Sequence, residues 1–212
     1  MSGYKLYYFN ILARGEMCRL SFAAAKIDFE DIRMNAYGEE WPKEKASGRP
    51  PLGQMPFIVT PEGKCLAQSA TIMKYICKKE GLSPADSFDE ALADMIVDGT
   101  NDFRSAVIRA HFEKDPAKKE DQTKQFHEST LPARLEKYTN LLGEKDFFFG
   151  DKMTYADIAF FEFFNSFLAD GEPTVPNELE NFPVLVEHYK RMLNVPEIKA
   201  WIATRPKCSF FP

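Results

Sequence analysis

The spacing of apolar residues changes once along this chain, at residues 80–87, and that change limits the folds open to it. Upstream, apolar residues come in short runs. Tyr4 to Phe9 is aromatic-rich and predicts a strand. Residues 14–26 show helical spacing through Met17, Leu20 and Ala24. Residues 29–33 read as a second strand. Residues 35–56 hold Gly38, Pro42, Gly48, Pro50, Pro51, Gly53 and Pro56 and read as a long loop. Two short apolar pieces flank Pro61-Glu62-Gly63, a hairpin signal. Ser69 to Lys79 then reads as a helix with Ile72, Tyr75 and Ile76 on one face.

Beyond the Glu-Gly-Leu-Ser-Pro-Ala-Asp-Ser stretch the spacing is helical throughout. Ser87 with Glu90 predicts a capping box that opens a helix through Met95, Ile96, Gly99 and Phe103. A second helix is expected over residues 122–142, disturbed by Pro132. Thr154 with Asp157 predicts another capping box, ahead of Phe160, Phe161, Phe164 and Phe167. Pro183 and Pro196 fit first helical turns. The expected architecture is an α+β unit over residues 1–80, a linker over 81–87 and an all-α unit over 88–212.

Charge divides the same way. Residues 1–80 carry 12 basic and 9 acidic side chains, and residues 81–212 carry 15 and 23. The net charge of −5 argues against a general nucleic-acid binder. No apolar run approaches the roughly 20 residues that span a bilayer, so no membrane partner is expected. Charged residues from Lys5 to Arg19 break any signal-peptide core. Cys18, Cys65, Cys77 and Cys208 include no C-x-x-C pair, and the three histidines complete no zinc pattern. Free thiols in a reduced, cytoplasmic protein are expected.

Several short motifs now align. Tyr4 to Asn10 followed by Arg14-Gly15-Glu16 resembles the opening of a sigma-class glutathione transferase. Trp41-Pro42, Gln54-Met55-Pro56, Gln68-Ser69, Ile96-Val97-Asp98, Trp201-Ile202 and Arg205-Pro206 follow in the family's order. The branch that includes haematopoietic prostaglandin D synthase is similar. The resemblance covers essentially the whole chain. It implies a thioredoxin-like N-terminal domain, an all-helical C-terminal domain, a homodimer, and glutathione as co-substrate with a small electrophile.

A free thiol has a pKa of about 8.5, so such an enzyme must favour the anion near neutral pH. A tyrosine hydroxyl is a fitting neutral donor. The resemblance gives that role to Tyr8; Tyr7, on the opposite face of the strand, is a core or interface candidate. Arg14 matches the arginine that supports the thiolate. Trp41 and Lys45 match residues at the glycyl end of glutathione. Gly53, Gln54 and Met55 precede a proline that is cis in this family, where the backbone pairs with the cysteinyl portion. Gln68 and Ser69 open a helix whose N-terminus suits the γ-glutamyl carboxylate, with Ser69 a reasonable N-cap. Asp102 of a second protomer matches the residue that reaches the γ-glutamyl ammonium. Some relatives hold a divalent cation near Asp98 and Asp102; Asn101 removes a charge here, and no metal is expected.

Departures concern the second substrate. The loop from Trp41 to Gly53 is two residues longer than in the prostaglandin synthase. Phe9, Arg104, Arg109, Phe163 and Phe210 are the candidate walls of the electrophile pocket. The two arginines argue against a prostaglandin-type apolar pocket and for an acidic or polar electrophile. The competing readings are a crystallin-like or ligand-carrying relative without catalysis, and a glutathione-dependent prostaglandin D synthase.

Overall fold

The computed structural model describes residues 3–208. The first half runs β1 (Tyr4–Phe9), α1 (Ala13–Ala24), β2 (Phe29–Met34), α2 (Glu40–Ala46), β3 (Phe57–Val59), β4 (Cys65–Ala67) and α3 (Ser69–Lys79). The sheet order is β2-β1-β3-β4, with β2 parallel to β1 and the later strands antiparallel. Tyr8 lies opposite Arg33, and Tyr7 sits between Ile32 and Phe57. α1 and α3 cover one face, where Leu6, Phe22, Ile58, Ile72 and Ile76 are fully buried. Tyr7, Met34, Phe57 and Ala67 form a second apolar cluster. This is the expected thioredoxin-like arrangement, with a cis peptide between Met55 and Pro56 leading into β3.

The second half is all helical: α4 (Ser87–Phe112), α5 (Pro116–Gln125), α6 (Leu131–Leu142), α7 (Tyr155–Phe163), α8 (Pro183–Asn194) and α9 (Pro196–Thr204). Its core is aromatic, with Phe103, Phe160, Phe161, Phe163 and Phe164 all buried. Asp157 ties the start of α7 down. It accepts from the Thr154 backbone at 2.8 Å and the Phe148 backbone at 2.9 Å, and lies 2.9 Å from His188 Nε2.

Four local expectations need correction. The loop over residues 35–56 contains α2, because Pro42 falls in the first turn of that helix, where a missing N–H costs little. Asp86, not Ser87, caps α4, its carboxylate accepting from the Phe88 and Asp89 backbones. The 122–142 helix is a longer unit: α5 begins at Pro116, and a π-helical turn over residues 126–130 leads into α6, which accommodates Pro132 in its first turn. Ser69 is the first residue of α3 rather than its cap; Gln68 holds the cap position at φ 74°.

α1 joins the halves. Glu16 and Arg19 are fully buried on it. The Glu16 carboxylate accepts from Trp201 Nε1 at 2.7 Å and from Arg205, both from the C-terminal segment, and pairs with Arg19 at 3.3 Å. Arg19 also grips Asp31 of β2. Burial pushes the Glu16 carboxyl up, but the charges of Arg19 and Arg205 outweigh it and hold its pKa below the ordinary value.

Candidate active site

A cavity of about 480 Å³ opens where four segments of the first half converge. The end of β1 brings Tyr8 and Phe9, and the first turn of α1 brings Arg14. Trp41 and Lys45 come from one face of α2. Gly53, Gln54, Met55 and Pro56 come from the turn before β3, and Gln68 and Ser69 from the start of α3. Ten residues singled out in the sequence thus border one space.

Tyr8 sits 6% exposed in this wall. Burial pushes its hydroxyl pKa up to about 12, against the Arg14 backbone N–H and the Arg14 and Arg19 charges. The phenol therefore keeps its proton at neutral pH and remains a donor. Its ring lies against α1 because residue 15 is glycine: a Cβ there would stand 2.3 Å from Tyr8 Cδ1. In the sequence Gly15 stands only as part of the Arg14-Gly15-Glu16 motif, with no role of its own. Its signal was a poor helix former inside the first turn of a helix.

Gln68 is held in the left-handed region, which costs a non-glycine residue of order 1–3 kcal/mol and clusters at functional sites. Its Nε2 reaches Gln54 Oε1 at 3.4 Å, joining two sides of the cavity. The Gln68 side chain makes no capping hydrogen bond to the first turn of α3, which leaves helix-end N–H groups facing the cavity residues for an anion. Lys45 runs its stem over Gly53, where a Cβ would meet Lys45 Cε at 3.5 Å. The cavity rim thus offers cations and helix-end donors around a buried neutral phenol.

Of the electrophile-wall candidates among the described residues, only Phe9 borders this cavity, its ring 5.6 Å from that of Tyr8. Arg104 is fully buried, with Nη2 on the equally buried Glu162, Nη1 on Asn101 and its guanidinium 5.3 Å from the Phe167 ring. Arg109 is exposed, and Phe163 is buried in the aromatic core. Phe210 lies outside the described residues. Arg104 therefore faces the interior, paired with Glu162, and offers no charge to an acidic electrophile in this cavity. Asp102 is exposed on α4, paired with Arg134 at 3.0 Å. Burial pushes the Cys18 thiol up, so it is no nucleophile. A separate cavity of about 780 Å³, bounded by α9, Leu12 and Cys208, borders none of the residues singled out for glutathione.

A thioredoxin-like sheet with a cis-proline turn beside a tyrosine-bearing cavity, joined to an all-helical half, defines the glutathione-transferase class of architecture. Residues 4–78 match the family model for the glutathione S-transferase N-terminal domain, and residues 101–205 that for the C-terminal domain. The chain is 33% identical over 210 residues to a glutathione S-transferase of Anopheles gambiae, covering 97% of this chain and 98% of that one. It is 34% identical over 207 residues to the hematopoietic prostaglandin D synthase of Gallus gallus, covering 98% of each. A monomeric glutathione S-transferase from the hookworm Necator americanus superposes with a TM-score of 0.80 at 33% identity, over 96% of this chain and 98% of that one. The structure of rat hPGDS complexed with a quinoline gives 0.83 at 31% identity, over 96% and 98%. The chain belongs to the glutathione S-transferase family.

Proposed function

We propose that this chain is a sigma-class glutathione transferase that conjugates glutathione to small electrophiles in detoxification. The observation that carries the reading is Tyr8, a buried phenol kept protonated, at the wall of a cavity that also holds Arg14. The Tyr8 O–H donates to the glutathione sulfur and stabilises its anion, while the thiol proton leaves to solvent. Arg14 favours the same negative charge. The thiolate then attacks the electrophilic carbon, the C–S bond forms, and a leaving group departs with its electron pair.

Lys45 and Trp41 take the glycyl end of the tripeptide. The backbone at Met55 pairs with the cysteinyl portion, flanked by Gly53 and Gln54. Gln68, Ser69 and the start of α3 take the γ-glutamyl carboxylate. Phe9 lies on the electrophile side. Asp102 from a second copy of the chain completes the site at the γ-glutamyl ammonium, so the active form is a homodimer. Exposed Phe88 and Met95 share the Asp102 face of α4 at seven-residue spacing, which supports pairing through that helix. The four free thiols fit a cytoplasmic setting, and no helix among the described residues is long and apolar enough to cross a membrane.

The test is a titration of bound glutathione by its ultraviolet thiolate absorbance. The expected result is an apparent pKa well below the free value of about 8.5, restored by Tyr8→Phe. An unshifted thiol, or no binding, would instead make the chain a carrier or packing relative.

A further inference from the structure

α2 carries two of the side chains on the cavity yet has little to hold it in place. It is seven residues long, and none of them is fully buried. A helix this short is not stable on its own. Its N-terminal end is held by the Trp41 ring, which packs on the Tyr7, Met34, Phe57 and Ala67 cluster. Its C-terminal end is held by Arg49. After Ser47 the chain turns back through Gly48 at φ 74°, and Ser47 Oγ accepts from the Arg49 backbone at 3.2 Å. That turn lays the Arg49 guanidinium over β1. Nε and Nη2 fork onto the two carboxylate oxygens of Glu44, Nε at 2.6 Å. Nη1 donates to the Tyr7 hydroxyl at 3.2 Å, with the guanidinium 4.9 Å from the Tyr7 ring centre. Tyr7 in turn stacks on Phe57 at 4.5 Å, immediately after Pro56.

We infer that Arg49 is a positioning residue for the glycyl end of glutathione: by clamping Glu44 of α2 to Tyr7 of β1, it holds Trp41 and Lys45 at the cavity. The inference rests on the proposed glutathione reading. Glu44 lies three residues after Trp41 and directly before Lys45, so fixing its carboxylate fixes the helix that presents both. A planar fork with three oriented donors suits this task, whereas a lysine ammonium cannot grip Glu44 bidentately and reach Tyr7 as well. The stack from Arg49 through Tyr7 to Phe57 also ends at the cis-proline turn, so α2 and that turn are registered against one strand.

The test compares glutathione with γ-glutamylcysteine, which lacks the glycyl carboxylate, using 1-chloro-2,4-dinitrobenzene as the electrophile. If Arg49→Ala leaves α2 in place only about a tenth of the time, the KM for glutathione rises about ten-fold while kcat holds. The KM for γ-glutamylcysteine should not change. Glu44→Ala separates positioning from simple loss of a cation, because it keeps the Arg49 charge and breaks the clamp. A rise in glutathione KM with Glu44→Ala, and no further rise in the double variant, supports the inference. Arg49→Lys should recover part of the loss. Tyr7→Phe, which keeps the fork and the stack, should give a smaller rise and serves if Arg49→Ala does not fold. Equal KM rises for both thiols, or an unchanged glutathione KM in the Glu44 variant, would overturn it. A native protein that shows no saturation with glutathione sinks the reading of the site itself, a distinct result.

Discussion

Gly15→Ala tests whether the contact between α1 and Tyr8 sets the rate. The alanine Cβ would stand 2.3 Å from Tyr8 Cδ1, 2.7 Å from Cγ and 3.0 Å from Cε1. Ordinary carbon contacts lie at about 3.5–4.0 Å, so the ring or the helix must withdraw by more than about 1 Å. The ring is the softer partner, because α1 is pinned by the buried Glu16–Arg19 pair and by Trp201 on Glu16. A misplacement of about 1 Å costs on the order of 100-fold in rate, equivalent to about 2.7 kcal/mol of transition-state stabilisation. Overpacking should also cost about 1–3 kcal/mol of stability, and a chain of this size loses about 2–4 °C in Tm per kcal/mol. The assay is kcat/KM with glutathione and 1-chloro-2,4-dinitrobenzene, alongside a melting curve and the thiolate titration. The substitution should lower kcat/KM, raise the thiol pKa and leave a folded protein at 25 °C. Added to Tyr8→Phe it should cost little further rate, since both act through one hydroxyl. An unchanged kcat/KM in Gly15→Ala, or full additivity in the double variant, refutes the reasoning.

Three further outcomes are expected. Glu16→Gln should destabilise the chain by about 3–5 kcal/mol at neutral pH, because it removes the charge that faces buried Arg19 and Arg205. The Glu16 pKa is lowered on folding, so that stabilisation is full above its unfolded value near 4.5 and fades as pH falls through the lower folded value; chemical denaturation from pH 7 down to pH 3 checks it. Thr154→Ala should cost about 1 kcal/mol through a weakened start to α7, read as a drop in denaturant midpoint without a change in m. Arg104→Ala should cost about 3–5 kcal/mol by stranding Glu162, whereas a well-packed apolar pair at both positions should be close to neutral, measured by urea unfolding.

Much of the fold was legible in residue type. β1, α1 and α3 came from period and composition, and the α7 box from Thr154 and Asp157. What stayed hidden has physical reasons. α5 has no apolar face to betray it, being Pro-Ala-Lys-Lys-Glu-Asp-Gln-Thr-Lys-Gln. α2 holds Pro42 in its own first turn, and the other prolines and glycines around it belong to its flanks. Gln68 adopts a backbone conformation that no side chain announces. The family resemblance puts Arg104 at a pocket wall; its partner Glu162 lies 58 residues away, and only the packing of α4 on α7 joins them. The cavity residues came from the family resemblance, while the reason Tyr8 can sit so close to α1 became visible only in three dimensions.

The junction at Glu16 has a consequence for anyone who would cut or recombine this chain. One carboxylate on α1 is satisfied partly by Arg19 beside it and partly by Trp201 and Arg205, some 185 residues downstream. The same helix carries Arg14 on the cavity and Gly15 against the Tyr8 ring. The thioredoxin-like half therefore does not own this helix outright; Trp201 of α9 and Arg205 just after it help hold it. A chimera that takes its first half from one relative and its tail from another inherits a mismatched anchor, so losses seen at the cavity then originate at Trp201 and Arg205.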